Sequence, residues 1–193
     1  MNQPASSRRR QFLATSALSG LAAASPAAQA APKEGGSRVL VAYFTRSGNT
    51  RVIAGQIART QKAVLFEIEP AQPYPEDYLA TVAQAKRERD SGFRPVLKAK
   101  VPDFASCTTV YLGLPIWGET APPVIRAFLA ALDFKGKTII PFITHGGYGV
   151  GDSLKVIAAH APGATLRSGG LVMEADQERR TMERVAKWLD GAS

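Results

Sequence analysis

Three short stretches hold the residues of this chain whose types and spacing could do chemistry. The first is Thr45-Arg46-Ser47-Gly48-Asn49-Thr50, after which Val52, Ile53 and Ile57 recur at helical spacing. The first N–H groups of a helix have no partner inside it, and the helix dipole favours negative charge there. Three hydroxyls and several N–H groups around a glycine, where the backbone can approach closely, can surround a dianion. An ordinary strand–turn–helix with polar capping residues would carry the same types. Arg46 enters this reading as a backbone donor, and Arg51 as a solvated helix residue. The second stretch is Pro115-Ile116-Trp117-Gly118, which offers the flat π-surface of Trp117 and a glycine that frees the next peptide. A core tryptophan at a strand end is the competing reading. The third is Thr144-His145-Gly146-Gly147-Tyr148-Gly149. It reads as a polar glycine loop with an aromatic side chain, or as a glycine-rich helix start with an exposed tyrosine. His145 is read first as satisfying a strand end.

Other chemistries lack their residues. Cys107 is the one cysteine, so no disulfide can form within the chain, and neither CxxC nor a Cys/His cluster exists. Cys107 reads as a small core residue. His145 and His160 are not spaced as a metal pair, and no metal site is expected. No Walker loop is present, and Gly147-x-Gly149-x-Gly151 is not a dinucleotide fingerprint. No acid–base pair or nucleophile constellation calls for a catalytic residue.

The elements that must position these stretches follow from the apolar pattern. Val39–Phe44 is an apolar run broken only by the Tyr43 hydroxyl, as a strand covered on both faces requires. Ala63–Ile68 reads as a second strand, placed at an edge by Glu67. Pro70, Pro73 and Pro75 break the next stretch. Tyr78, Leu79, Val82 and Ala85 then predict a short amphipathic helix ending near Ser91-Gly92. From Lys86 to Lys100 six basic residues face two acidic ones. This is read as a solvated face, with a docking surface for an anionic partner as the alternative. The run has no repeated aromatic interleaving, Phe93 being its single aromatic residue, which argues against nucleic acid. Thr108–Leu114 predicts a third strand, and Pro122-Pro123 opens a helix. Thr138–Ile143 predicts a fourth strand, in which Pro141 should produce a bulge or a missing bond. Asp152 is expected to cap a fourth helix. Ala164–Met173 holds the fifth strand. Asp176 is expected to cap a fifth helix with Met182, Val185, Ala186 and Leu189 on its buried face. Trp188 should pack on the sheet. Strand and helix alternate five times without a repeat, which predicts an α/β doubly wound parallel sheet.

The loop Thr45-x-Ser47-Gly48-x-Thr50 resembles the phosphate loop of the flavodoxin-like family, Thr/Ser-x-Thr/Ser-Gly-x-Thr. The resemblance covers nearly all of residues 38–190. Tyr74-Pro75-Glu76-Asp77-Tyr78 and Arg94-Pro95 are similar to a segment found in a bacterial branch of that family. The resemblance implies five parallel strands in the order 2-1-3-4-5, with strands one, three and four ending side by side at the switch point where ligands bind. It implies FMN as cofactor. The first loop would hold its phosphate. The Trp117 loop would stack on the isoalloxazine. The glycine N–H groups would meet the pyrimidine edge, with Tyr148 on the other flavin face. Electron-rich rings there disfavour the anionic reduced flavin and lower its potential. Electron transfer or flavin-dependent reduction is the implied function, with a redox partner protein or a quinone-like small molecule as partner. A flavodoxin-fold binding module without flavin is the alternative, as is an NAD(P)H-dependent quinone reductase if the chain is not exported.

Residues 1–30 read as an export signal. Arg8-Arg9-Arg10 precedes an alanine-rich run and an Ala28-Gln29-Ala30 cleavage site, and Arg9-Arg10-Gln11-Phe12-Leu13 resembles the twin-arginine signal. A general secretory signal is the alternative. The apolar run is too short and too poor in large side chains for a permanent membrane span. Residues 31–37 read as a linker, residues 38–193 as the domain, and the expected location is the periplasm. Cleavage removes three arginines and no acid. The mature chain then has 21 basic and 16 acidic side chains, net +5 against +8 for the full chain. A basic chain departs from the acidic habit of electron-carrier flavodoxins and implies a partner of opposite charge.

Overall fold

The computed structural model describes residues 38–174 and 178–192, and of 178–183 and 192 the backbone alone. The export signal, the linker, Asp176 and the side chain of Met182 lie outside the described residues.

The chain runs β1 (Arg38–Tyr43), α1 (Asn49–Thr60), β2 (Val64–Glu67), α2 (Tyr78–Ser91), β3 (Cys107–Pro115), α3 (Pro123–Ala130), β4 (Thr138–His145), α4 (Ser153–His160), β5 (Thr165–Leu166), β6 (Leu171–Glu174) and α5 (Glu178–Ala192). The sheet order is β2-β1-β3-β4-β5, every pair is parallel, and β6 also pairs with β4. Strand alternation sends side chains to two cores. Leu40, Ala42, Val110, Leu112 and Leu114 pack with Val124, Phe128 and Ile157 from α3 and α4. Val41, Tyr43, Tyr111, Ile140 and Phe142 pack with Ile53 and Ile57 of α1 and with Val185 and Leu189 of α5. Ala186 is exposed, which corrects its expected place on the buried face of α5. Trp188 sets its ring edge-on to Tyr111 at 5.8 Å and donates to the Gly169 carbonyl.

Pro141 explains the one departure in the sheet. Its register with Leu112 of β3 is regular, so no bulge forms on that side. The Ile139 carbonyl accepts from Arg167 N–H, so Ile139, and with it Pro141 two residues on, turns towards the fifth strand. At Pro141 that strand has no donor to meet. It parts there: β5 ends at Leu166, and β6 resumes at Leu171. The single fifth strand expected over Ala164–Met173 is thus two short pieces on either side of the proline. Gly170 lies against it. A Cβ at Gly170 would come within 2.4 Å of the Pro141 carbonyl oxygen.

Candidate functional site

The C-terminal ends of β1, β3 and β4 lie side by side and deliver the three loops to one region. The first loop opens α1 with Gly48 as N-cap, at φ 92° and with open space where a Cβ would stand. The first helical bond runs from Val52 N–H to the Gly48 carbonyl. The N–H groups of Asn49, Thr50 and Arg51 precede it and have no acceptor within the helix. No acidic side chain occupies the first turn. Ser47 and Asn49 are exposed. Thr45 Oγ1 accepts from Gly48 N–H at 3.0 Å and leaves its own hydroxyl hydrogen to donate outward. This donor set fits a dianion.

Thr50 is placed differently from its neighbours. It is buried, and its hydroxyl meets that of Thr144 at 3.0 Å, joining the first loop to the end of β4. The arginines also depart from expectation. Arg46 donates to the Glu76 carbonyl at 2.6 Å and lies over the Tyr78 ring, so it straps the loop to the start of α2. Arg51 is not merely solvated: it pairs with Glu67 at 2.6 Å, and Tyr43 donates to the same carboxylate. Burial, and then the bond to Glu67, push the Tyr43 phenol up from its ordinary value.

The second loop is a tight turn. Trp117 N–H donates to the Thr120 carbonyl at 3.0 Å. Gly118 and Glu119 both have positive φ, 58° and 62°, the pattern of a type I′ turn. Glu119 is a costly residue there, and its backbone is held from outside. Its carbonyl accepts from Asp152 N–H, and Gly151 packs so close that a Cβ would stand 1.7 Å from that oxygen. Asp152 is the N-cap of α4, but its side chain makes no capping bond; its backbone serves this tie instead. Trp117 is half-buried, edge-on to Phe44 at 5.2 Å and to Tyr74 at 4.8 Å.

In the third loop His145 Nδ1 accepts from Gly147 N–H at 3.1 Å. That N–H is therefore already used, and His145 organises the turn. Tyr148 is 82% exposed. Cys107 is buried at the start of β3, where burial pushes its thiol up. Among the described residues no group of three His, Cys, Asp or Glu could hold a metal ion.

A cleft of about 650 Å³ opens between these loops, within the usual size of a small-molecule site. Its walls include Arg46 and Ser47, Pro115 to Gly118, and His145, Gly146 and Tyr148. Thr45, Gly48, Asn49, Thr50, Thr144, Gly147 and Gly149 do not line it. The opposite wall is α2, which contributes Tyr78, Thr81, Val82, Ala85, Lys86 and Arg89. The sequence predicts an amphipathic helix here and reads only its basic end, from Lys86 on, as a solvated face or a docking surface; it does not place the helix at the cleft. Its signal was the four-residue ladder Tyr78, Val82, Lys86 beside Thr81, Ala85, Arg89, two adjacent stripes on one side of a helix.

Residues 38–192 match the family model described as Flavodoxin. The chain belongs to the flavodoxin family. Among solved structures, a protein designated a flavoprotein from Bacteroides eggerthii is 31% identical, with a TM-score of 0.68 over 81% of this chain and 98% of that one. Its counterpart from Bacteroides uniformis is 30% identical, with a TM-score of 0.68 over 79% and 99%. A flavoprotein from Lactobacillus acidophilus, solved in complex with FMN, shares the fold at 19% identity and a TM-score of 0.63, over 80% and 99%. No curated protein matches the chain. No helix among the described residues is long and apolar enough to cross a membrane.

Proposed function

We propose that this flavodoxin-family chain is an exported FMN protein that transfers electrons to or from a redox partner. The observation that carries the reading is the meeting of three chain-distant loops around one cleft, with a dianion-fitting helix start at one end and Trp117 and Tyr148 beside it. FMN supplies the redox chemistry when bound. The chain's part is to hold, orient and tune it. The N–H groups of Asn49 and Thr50 and the hydroxyls of Thr45 and Ser47 would take the phosphate, in a helix start free of acidic side chains. Trp117 is held edge-on by Phe44 and Tyr74, which fixes the plane it offers to a flat ring. Membership of the flavodoxin family and the FMN complex of the Lactobacillus acidophilus protein support the cofactor. Retention of Trp117 and of the loop hydroxyls speaks against a binding module that has lost its flavin.

Export is part of the proposal. The basic start, the alanine-rich run and the small-residue cleavage site of residues 1–30 support it, and Arg9-Arg10 supports the twin-arginine route, which carries proteins already folded and loaded with cofactor. The periplasm is then the place of action.

The test is the visible spectrum of the protein from its native compartment, with FMN and riboflavin affinities read by flavin fluorescence. Bound FMN is expected. A colourless protein that takes up no FMN would refute the reading. Joint replacement of Thr45 and Ser47 by Ala should weaken FMN by about tenfold or more, the worth of one to two charge-assisted hydrogen bonds, and riboflavin much less. Equal losses for both would remove the phosphate assignment.

A further inference from the structure

The wall formed by α2 is not explained by the cofactor. The helix buries Thr81 and Ala85 but leaves Tyr78 and Val82 exposed, at 65% and 46%, although all four face the cleft. An apolar stripe turned into a cleft rather than into the core leaves apolar area for a ligand to cover. The same stripes end in cations. Lys86 follows Val82 by one turn, and Arg89 follows Ala85. Arg89 Nη1 reaches the Gly118 carbonyl at 3.4 Å, which sets its charge beside the turn that carries Trp117. Asp90 pairs with both cations, at 2.6 and 3.2 Å, but does not line the cleft, whose one acidic lining residue is Glu119. Arg46 is also at the wall and is engaged with Glu76 and Tyr78. The balance of charge at the wall is positive, and it lies next to apolar surface.

We propose that the inner face of α2 is a substrate wall for a small planar redox molecule bearing a negatively charged group, with Lys86 and Arg89 holding that group and Val82 and Ala85 meeting its ring. The inference rests on the reading of the cleft as a flavin site. A quinone with a sulfonate or carboxylate substituent is of this class. It takes two electrons and two protons from reduced FMN and leaves as the quinol, and the flavin returns to its oxidised form. The wall explains why a helix with so little core to cover is strapped at both ends, by Arg46 at its start and by Arg89 at its last turn. Lys86 and Arg89 follow Tyr78, over which the first-loop residue Arg46 lies, by about two and three turns of α2, so the cofactor's phosphate and the substrate's charge need not compete for one anion site.

The experiment uses the oxidised FMN-loaded protein and two redox-inert probes, naphthalene-2-sulfonate and uncharged 2-naphthalenemethanol. Binding is read by calorimetry. The intact protein should bind the sulfonate about tenfold more tightly, the worth of one well-placed charge pair. Lys86→Met with Arg89→Met should bring the two probes to within about twofold, while Arg89→Lys, which keeps the charge, should retain most of the preference. Reoxidation of the photoreduced protein by 1,4-naphthoquinone-2-sulfonate, relative to 1,4-naphthoquinone, should slow in the double variant by the same factor. Equal binding of both probes by the intact protein, or a preference that survives the double variant, would overturn the proposal. So would a double variant that loses FMN far more than riboflavin, because the pair would then serve the cofactor's phosphate while the flavin reading stood. A protein that takes up no FMN at all would instead remove the flavin reading itself.

Discussion

Trp117 stands at the one place where a strand end, a strained turn and a helix wall come together. Its ring is wedged edge-on by Phe44 and Tyr74, so it cannot tilt freely, and a ring held this way acts as a fixed electron-rich surface. If it stacks on FMN it disfavours the anionic reduced form. Replacing Trp117 by Ala should therefore raise the flavin potential. A stacking term of ~0.5–1.5 kcal/mol corresponds to about 20–60 mV for one electron. Redox titration of the loaded variant checks this, and an unchanged potential would remove the stacking role. Gly151 makes a different kind of claim. It has positive φ, and an added Cβ would run into the backbone of Glu119 rather than into a flexible side chain. Gly151→Ala must push the two loops apart or break the tie from Asp152 N–H to the Glu119 carbonyl. A loss of about 2–4 kcal/mol is expected in denaturant unfolding, together with weaker flavin binding. The motif residues themselves were legible, since hydroxyls around a glycine after an apolar strand announce a helix start. The uses of Arg46 and Asp152 were not. Each spends its polar groups on a partner at least thirty residues away, and no local spacing encodes that.

The elements were legible where local pattern and tertiary demand agree. β1, β3 and β4 are apolar runs because both faces of a parallel strand are covered, and the structure finds them within a residue or two of the expected bounds. Strand five failed as one element because the cause of its break lies on its neighbour. The missing donor belongs to Pro141, and only the register of β4 with Arg167 shows which strand it faces. Gly170→Ala tests that account. The new Cβ would meet Pro141 at the break, so β6 should detach, with a stability loss of about 1–3 kcal/mol and faster amide exchange over Leu171–Glu174. The lower end of the sheet has its own clamp. Lys137 is buried without a carboxylate partner among the described residues; its ammonium donates to the Ala105 and Cys107 carbonyls and lies over the Phe104 ring. It joins the start of β4 to the turn that leads into β3. Lys137→Met keeps the stem but leaves two carbonyls without their donor, and should cost about 2–4 kcal/mol in chemical denaturation. α2 was legible as a helix but not as a wall, because its stripes face a cleft made by loops that are distant from it in the chain.

At the scale of the whole molecule, three tyrosines tie the cores and the cleft to the state of protonation. Tyr111 is raised by burial in the core against α1 and α5. Tyr43 is raised by burial and then by its bond to Glu67 at the sheet edge. Tyr74 is pushed furthest, by burial first and then by its bond to Glu88 beside Trp117. All three hold their protons more tightly folded than unfolded. Above the unfolded tyrosine value of about 10 the unfolded chain loses protons that the folded chain keeps, so stability falls as pH rises through that region. Below it the contribution is complete and flat. The denaturant midpoint should thus be steady from neutral pH to about 8.5, fall gently above that as the unfolded Cys107 thiol ionises and the buried one does not, and drop steeply above about 9.5. Tyr74→Phe lowers the neutral-pH stability by about 1 kcal/mol through the lost bond to Glu88, and it should make the alkaline drop shallower. The two effects have opposite consequences at the two ends of the pH range, so the curves of variant and parent converge as pH rises. Curves that stay parallel throughout would mean that Tyr74 ionises no differently in the folded and unfolded chain, and that the contact between Tyr74 and Glu88 gives no link between proton uptake and the wall of the cleft.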